Sequence, residues 1–199
     1  MRKMFVAVFL FISLVFVSSF VDLSTVLVPP QTSDKRQDLI NDLMYEVLEA
    51  QHVTGDAELQ FSYMPLVDEQ IETGIAFGFV SSRNDVIRNT EIALYNAREF
   101  LSEELGTRSY EYEVTHITEL TGMIANDLLF ETKTHFKRFA DDINDRELYN
   151  VVNDFIDSVT NIYEVGARFY STLNDKEYTG VVNFVFADGR IYVWDWLLF

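Results

Sequence analysis

Asp188-Gly189 separates two runs rich in β-branched and aromatic residues, Tyr178 to Ala187 and Arg190 to Leu198, and that dipeptide is the preferred two-residue type I′ turn. The chain must therefore build an antiparallel hairpin near its C-terminal end. Counting outward from the turn, Ala187 pairs with Arg190, Phe186 with Ile191, Val185 with Tyr192, Phe184 with Val193 and Asn183 with Trp194. One face of the hairpin is then Phe184, Phe186, Ile191 and Val193, a core surface. The other carries Asn183, Val185, Tyr192, Trp194 and Trp196. A row of amphipathic aromatics like this either stacks on a ligand or partner, or lies under a helix.

Ahead of the hairpin, helical and strand patterns alternate, which makes the class α+β. A helix is expected from Asp34, whose carboxylate can cap free amides with Gln37 three residues on, burying Leu39, Ile40, Leu43, Met44, Val47 and Leu48 and ending near Gln51. Leu59, Phe61 and Tyr63, and then Ile75, Phe77 and Phe79, alternate with smaller or polar residues and predict two strands. Gly74, Ala76 and Gly78 would leave the second of these with one bare face, suited to close helix packing. Ser82 with Asp85 opens a helix that runs to Gly106. Tyr110, Tyr112, Val114 and His116 alternate with Glu111, Glu113 and Thr115, predicting a strand with one wet face. Helical spacing follows from Thr121 to Ala140 and from Asp145 to Leu173, the latter start marked by Asn144 and Glu147. The expectation is an antiparallel sheet of about five strands packed with about four helices.

The N-terminus carries an address. Arg2 and Lys3 precede an apolar run, Phe5 to Val17, interrupted by one serine. That is the form of an export signal or an N-terminal membrane anchor spanning residues 1–21. Val17-Ser18-Ser19 offers a cleavage site, and Asp22 discourages extending the span into hydrocarbon. Residues 22–33, with Pro29-Pro30, read as a stiff spacer, and residues 34–199 as one extracytoplasmic domain. The expected location is the periplasm, the exterior or the outer face of the cytoplasmic membrane, with membrane contact only through the N-terminal segment if it is retained.

Composition narrows the partners. The chain has 15 Lys and Arg against 32 Asp and Glu, a net charge of −17 that becomes −19 when Arg2 and Lys3 are removed. Nucleic acid is excluded as an expected partner, because phosphate binding requires a basic patch. With no cysteine, the chain has no disulfide, thiolate or cysteine-ligated metal chemistry. An exported domain that relies on its core alone suits a bacterial or archaeal envelope, and no Asn-x-Ser/Thr sequon points elsewhere.

Few motifs carry chemistry. Glu131 and His135 lie four residues apart on a predicted helix face, but two ligands do not hold a metal, so no metal site and no cofactor is assigned. His116 reads as a core or boundary imidazole and His52 as a helix-end residue complementing the dipole. Asp141 to Asp145 and Asp175 to Gly180 lack the glycine or the twelfth-position carboxylate of a calcium loop, and read as turns and caps. No nucleophile elbow, P-loop or dinucleotide fingerprint occurs. An outer-membrane barrel fails on strand number. Catalytic residues are therefore unassigned. The expected role is binding of a protein partner or small ligand through Tyr192, Trp194 and Trp196. The alternatives are a carboxylate and histidine hydrolase or metal-dependent enzyme, and a structural anchor protein.

Overall fold

A computed structural model describes residues 35–197, with the backbone alone at residues 136, 139 and 195–197. The expected export segment, spacer and Asp34 cap lie outside the described residues. Among the described residues, no helix is long and apolar enough to cross a membrane.

Among the described residues the fold is six α-helices and a four-stranded antiparallel sheet. In chain order these are α1 (Lys35–Glu49), a π-helical turn (Ala50–Thr54), α2 (Ala57–Ser62), α3 (Val67–Ala76), α4 (Arg83–Leu105), β1 (Tyr110–Leu120), α5 (Gly122–Ile143), α6 (Arg146–Ser158), β2 (Val159–Ser171), β3 (Glu177–Ala187) and β4 (Arg190–Leu197). The sheet order is β1-β2-β3-β4, so β1 and β4 are its edges. The expectation of five strands and four helices is corrected in both numbers.

Each correction has a local cause. The segment read as a strand at Leu59 to Tyr63 is α2, because the Asp56 carboxylate accepts from the Leu59 amide at 3.0 Å and starts a helix. Its buried pair, Ala57 and Phe61, is spaced by four. The strand expected around Ile75 is the end of α3. Gly78, at φ +71°, lets the chain reverse there, and the Phe79 and Val80 amides return to the Gly74 carbonyl. Val80 then lies over Gly74, where a Cβ would come within 3.2 Å of its methyl.

The long helix expected from Asp145 to Leu173 breaks at Val159 into α6 and β2. Strand β2 is central in the sheet and alternates, with Tyr163, Val165, Ala167 and Phe169 on one face and Glu164 and Arg168 on the other. The helical spacing runs through Ile162 and Phe169, which lie on opposite faces. Asp145 caps α6 by accepting from the Leu148 amide at 3.0 Å, with Asn144 in the left-handed region closing α5.

The sheet is a middle layer. Its first face presents Tyr163, Val165, Ala167, Phe169, Val182, Phe184 and Val193 to Ile40, Met44, Val47 and Leu48 of α1 and Leu101 and Leu105 of α4. Phe169 and Phe184 are among the largest fully buried side chains, each worth about 1.5–3 kcal/mol of burial. The second face is covered at one end only, where Phe155 of α6 and Leu128 and Leu129 of α5 meet Ile162, Val185, Ala187, Tyr192 and Trp194. A smaller cluster of Ala57, Phe61, Ile71 and Val86 joins α2, α3 and α4.

A candidate docking site at the open edge of the sheet

The hairpin forms at Asp188-Gly189 as expected, with both residues at positive φ, and its first four pairs have the expected register. The fifth does not. Asn183 opposes Asp195, which leaves Trp194 as an extra, bulged residue of β4 and sets Trp196 opposite Val182, a residue of the first face. Tyr192, Trp194 and Trp196 therefore do not occupy one register row. Trp194 is stacked on Phe155 at 5.7 Å and 9°, and Tyr192 meets the same ring edge-on at 5.5 Å. Helix α6 covers these two rings.

Edge strand β4 is closed as well as covered. The Val193 amide donates to the Tyr63 carbonyl at 2.7 Å. The loop from Tyr63 to Leu66 wraps this edge: Tyr63 packs with the first-face core, whereas Leu66 packs with Trp194 and Leu129 beyond the second face. Leu66 holds φ +56° to make that turn, and its burial in two clusters offsets the strain.

Edge strand β1 is different. Among the described residues, nothing makes a backbone hydrogen bond to its outer side. A notch of about 240 Å³ lies there, lined by Gln37, Asp38 and Asn41 of α1 and by Val114 to Ile117 of β1. The amphipathic pattern of α1 places them: Ile40 and Met44 are buried in the core, so the neighbouring polar positions rim the strand. Farther along, Tyr45 lies 6.1 Å from the Tyr112 ring. The Tyr112 phenol is raised above its ordinary pKa, first by burial and then by the Glu49 carboxylate and Tyr45.

A bulge shapes the notch. Val114 opposes Ala167 and His116 opposes Gly166, so Thr115 is the extra residue. The bulge carries His116 onto the second face, correcting its expected inward register. Its imidazole occupies the space over Gly166, where an added Cβ would fall 2.2 Å from His116 Cε1 and 2.5 Å from Thr115 Oγ1. His116 Nε2 stands 3.5 Å from Glu164 Oε1, and its Nδ1 is 3.1 Å from Thr115 Oγ1. Beyond it the second face is polar. Arg168 pairs with Glu113 and, at 3.4 Å, with Glu177, while the Tyr170 hydroxyl donates to Glu111 at 2.9 Å.

His52 lies at a helix end as expected, but not in the expected role. It lies in the π-helical turn, buried against Phe169 at 4.8 Å between ring centres. Burial, with Arg98 nearby, lowers its pKa to about 4, so it is neutral near pH 7 and does not serve the helix dipole as a cation. Gln51 Oε1, His52 Nε2 and Arg98 Nε are buried without a hydrogen-bond partner among the described residues.

Glu131 and His135 are both exposed on α5, and among the described residues no group of three or more His, Asp or Glu is arranged to hold a metal. The β2–β3 turn instead caps a helix. Asn174 Nδ2 donates to the Leu105 carbonyl and Lys176 Nζ to the Glu104 carbonyl, closing α4.

Sequence reasoning missed the notch because a bulge leaves no periodic mark. Gly166, inside the misread β2, was its one available signal. No family model matches the chain, and neither a curated protein nor a solved structure matches it.

Proposed function

We propose that this protein is exported by its N-terminal segment and works at the cell envelope as a binding domain, taking an extended polypeptide along the outer edge of β1. The supporting observation is the contrast between edges. β4 is closed by the Tyr63 loop, whereas β1 is unpaired among the described residues and runs beside the α1 notch. Strand addition supplies main-chain hydrogen bonds, and a flanking helix supplies side-chain selection. Selection of a displayed peptide library on the full-length protein, followed by amide-shift mapping of the best peptide, tests this reading. Shifts should centre on residues 112–119 and 37–41, and shifts centred on β4 or α5 instead would sink it.

A second reading rests on the order Thr115 hydroxyl, His116 imidazole, Glu164 carboxylate, the sequence of groups that activates a hydroxyl nucleophile. The Glu164 separation of 3.5 Å is long for a hydrogen bond. A phosphonate probe of hydrolase nucleophiles decides it: labelling that disappears in Thr115→Ala supports hydrolysis, and an unlabelled protein removes it.

A further inference from the structure

We propose that the occupant of the β1 edge is a basic segment of another protein, an extended peptide bearing Lys or Arg, added as a fifth strand. The inference rests on the strand-addition reading above and goes beyond it in naming the partner's chemistry.

Charge along the edge carries the argument. Strand β1 carries Glu111 and Glu113 in the second-face register and Glu119 in the first-face register, and the notch wall adds Asp38. Glu49 reaches the same edge near Tyr112. Among the described residues no Lys or Arg lines the notch. Arg168 neutralises Glu113, while the Tyr170 hydroxyl donates to Glu111 at 2.9 Å and Asn161 to Glu119 at 2.7 Å, contacts that leave the negative charge of Glu111 and Glu119 on this edge. Opposite charges facing across a strand pair stabilise it, and like charges destabilise it.

The same arithmetic disfavours a second copy of this chain. Two β1 strands paired antiparallel about Thr115 would set Glu111 of one copy against Glu119 of the other at both ends, on molecules of net charge −17. A hydrophobic partner strand fits poorly too, because the notch is lined mostly by polar side chains. The edge is also guarded as solitary edges are, by a bulge and by charge. Acidic guards repel acidic strands and favour a basic one over a neutral one.

The test uses the full-length protein in mild detergent and a fluorescent seven-residue peptide alternating lysine and valine, read by anisotropy. A peptide with glutamate in place of lysine, and the lysine peptide N-methylated at alternate residues, are the comparators. The proposal expects the lysine peptide to bind, the glutamate peptide not to bind, and N-methylation to abolish binding. It expects affinity to fall about tenfold or more between low and high salt, as exposed charge pairs are screened.

Asn41→Arg, at a partly exposed position of the notch wall, should weaken the lysine peptide at least tenfold, with circular dichroism checking that the variant is folded. Asp38→Asn should weaken it several-fold. Equal binding of both charge types overturns the basic-partner proposal and leaves strand addition standing. Binding that survives N-methylation overturns it as mere surface attraction. No binding by any peptide overturns it too. If a dimer then dissociates in Asn41→Arg, the occupant is a second copy. If binding appears only on deleting residues 20–30, the chain's own leader holds the edge.

Discussion

Both edges of this sheet carry an inserted residue, Thr115 in β1 and Trp194 in β4, and the molecule treats them in opposite ways. At β4 the bulge drives an indole against Phe155, and a loop carbonyl takes the freed amide of Val193. At β1 the bulge turns an imidazole over a glycine and leaves Thr115 exposed beside the notch. An irregular strand edge is therefore not in itself a site. It becomes one where packing does not finish the job.

If β4 is held shut by α6, removing the ring that covers it should have the largest effect. Phe155 is buried between Trp194 and Tyr192, and Phe155→Ala is expected to cost about 3–5 kcal/mol in urea denaturation. The Trp194 fluorescence should shift red in the native state. A cost under about 1 kcal/mol would mean that α6 is not what closes that edge.

The β1 side carries an acid sensitivity. His52 sits behind this strand, against Tyr110 and Phe169, with its pKa lowered from 6.5 to about 4. Above pH 6.5 both folded and unfolded chains hold it neutral, and it adds no pH dependence. As pH falls toward 4 the unfolded chain takes up a proton that the folded one refuses, so about 3 kcal/mol of stability is lost over that window and no more below it. His52→Phe should flatten this part of the curve. An unchanged slope between pH 6.5 and 4 in that variant would show that His52 is not the titrating group.

Gly166→Ala separates the bulge from the rest of β1. The new methyl must displace His116 or the Thr115 hydroxyl, at a cost of about 1–3 kcal/mol. His116 is partly exposed and can swing out, so the variant should fold, with peptide affinity at the notch changed and the β4 amides undisturbed. If His116 resonances do not move, the imidazole does not lie over the glycine.

How far the sequence foretold all this follows from the kind of signal each element leaves. Local chemistry was legible: Ser82 and Gly106 bound α4 as read, and Asp188-Gly189 makes the turn. The α1 face of Ile40, Met44, Val47 and Leu48 is buried as read from its spacing. Exposed Leu39, in the same list, is not. Periodicity failed where a segment was too short or where helical and strand spacings fitted the same residues. In α2, six residues alternate by accident, and the cap at Asp56 was the better guide. In β2, Tyr163, Val165, Ala167 and Phe169 do alternate with Glu164, Gly166 and Arg168, and the helical spacing joined Ile162 and Phe169 from opposite faces. The three register shifts were invisible because each depends on what the neighbouring strand needs. The candidate site is built on one of them, so it could not be read from β1 alone.

The finest test of the comparison is at the start of α6. The Asp145 carboxylate holds the Leu148 amide, and Asp145→Ala is expected to cost about 1 kcal/mol. The loss should not be spread evenly. Leu148 packs beside Trp194 and Leu66, so fraying this turn loosens the cover over β4, and hydrogen exchange at the Val193 amide should speed up. Strand β1 touches the opposite layer, α1, and its exchange and its peptide affinity should stay as they are. Equal acceleration at both edges would mean that the sheet opens as one unit, and that β4 is kept closed by global stability rather than by its own helix and loop.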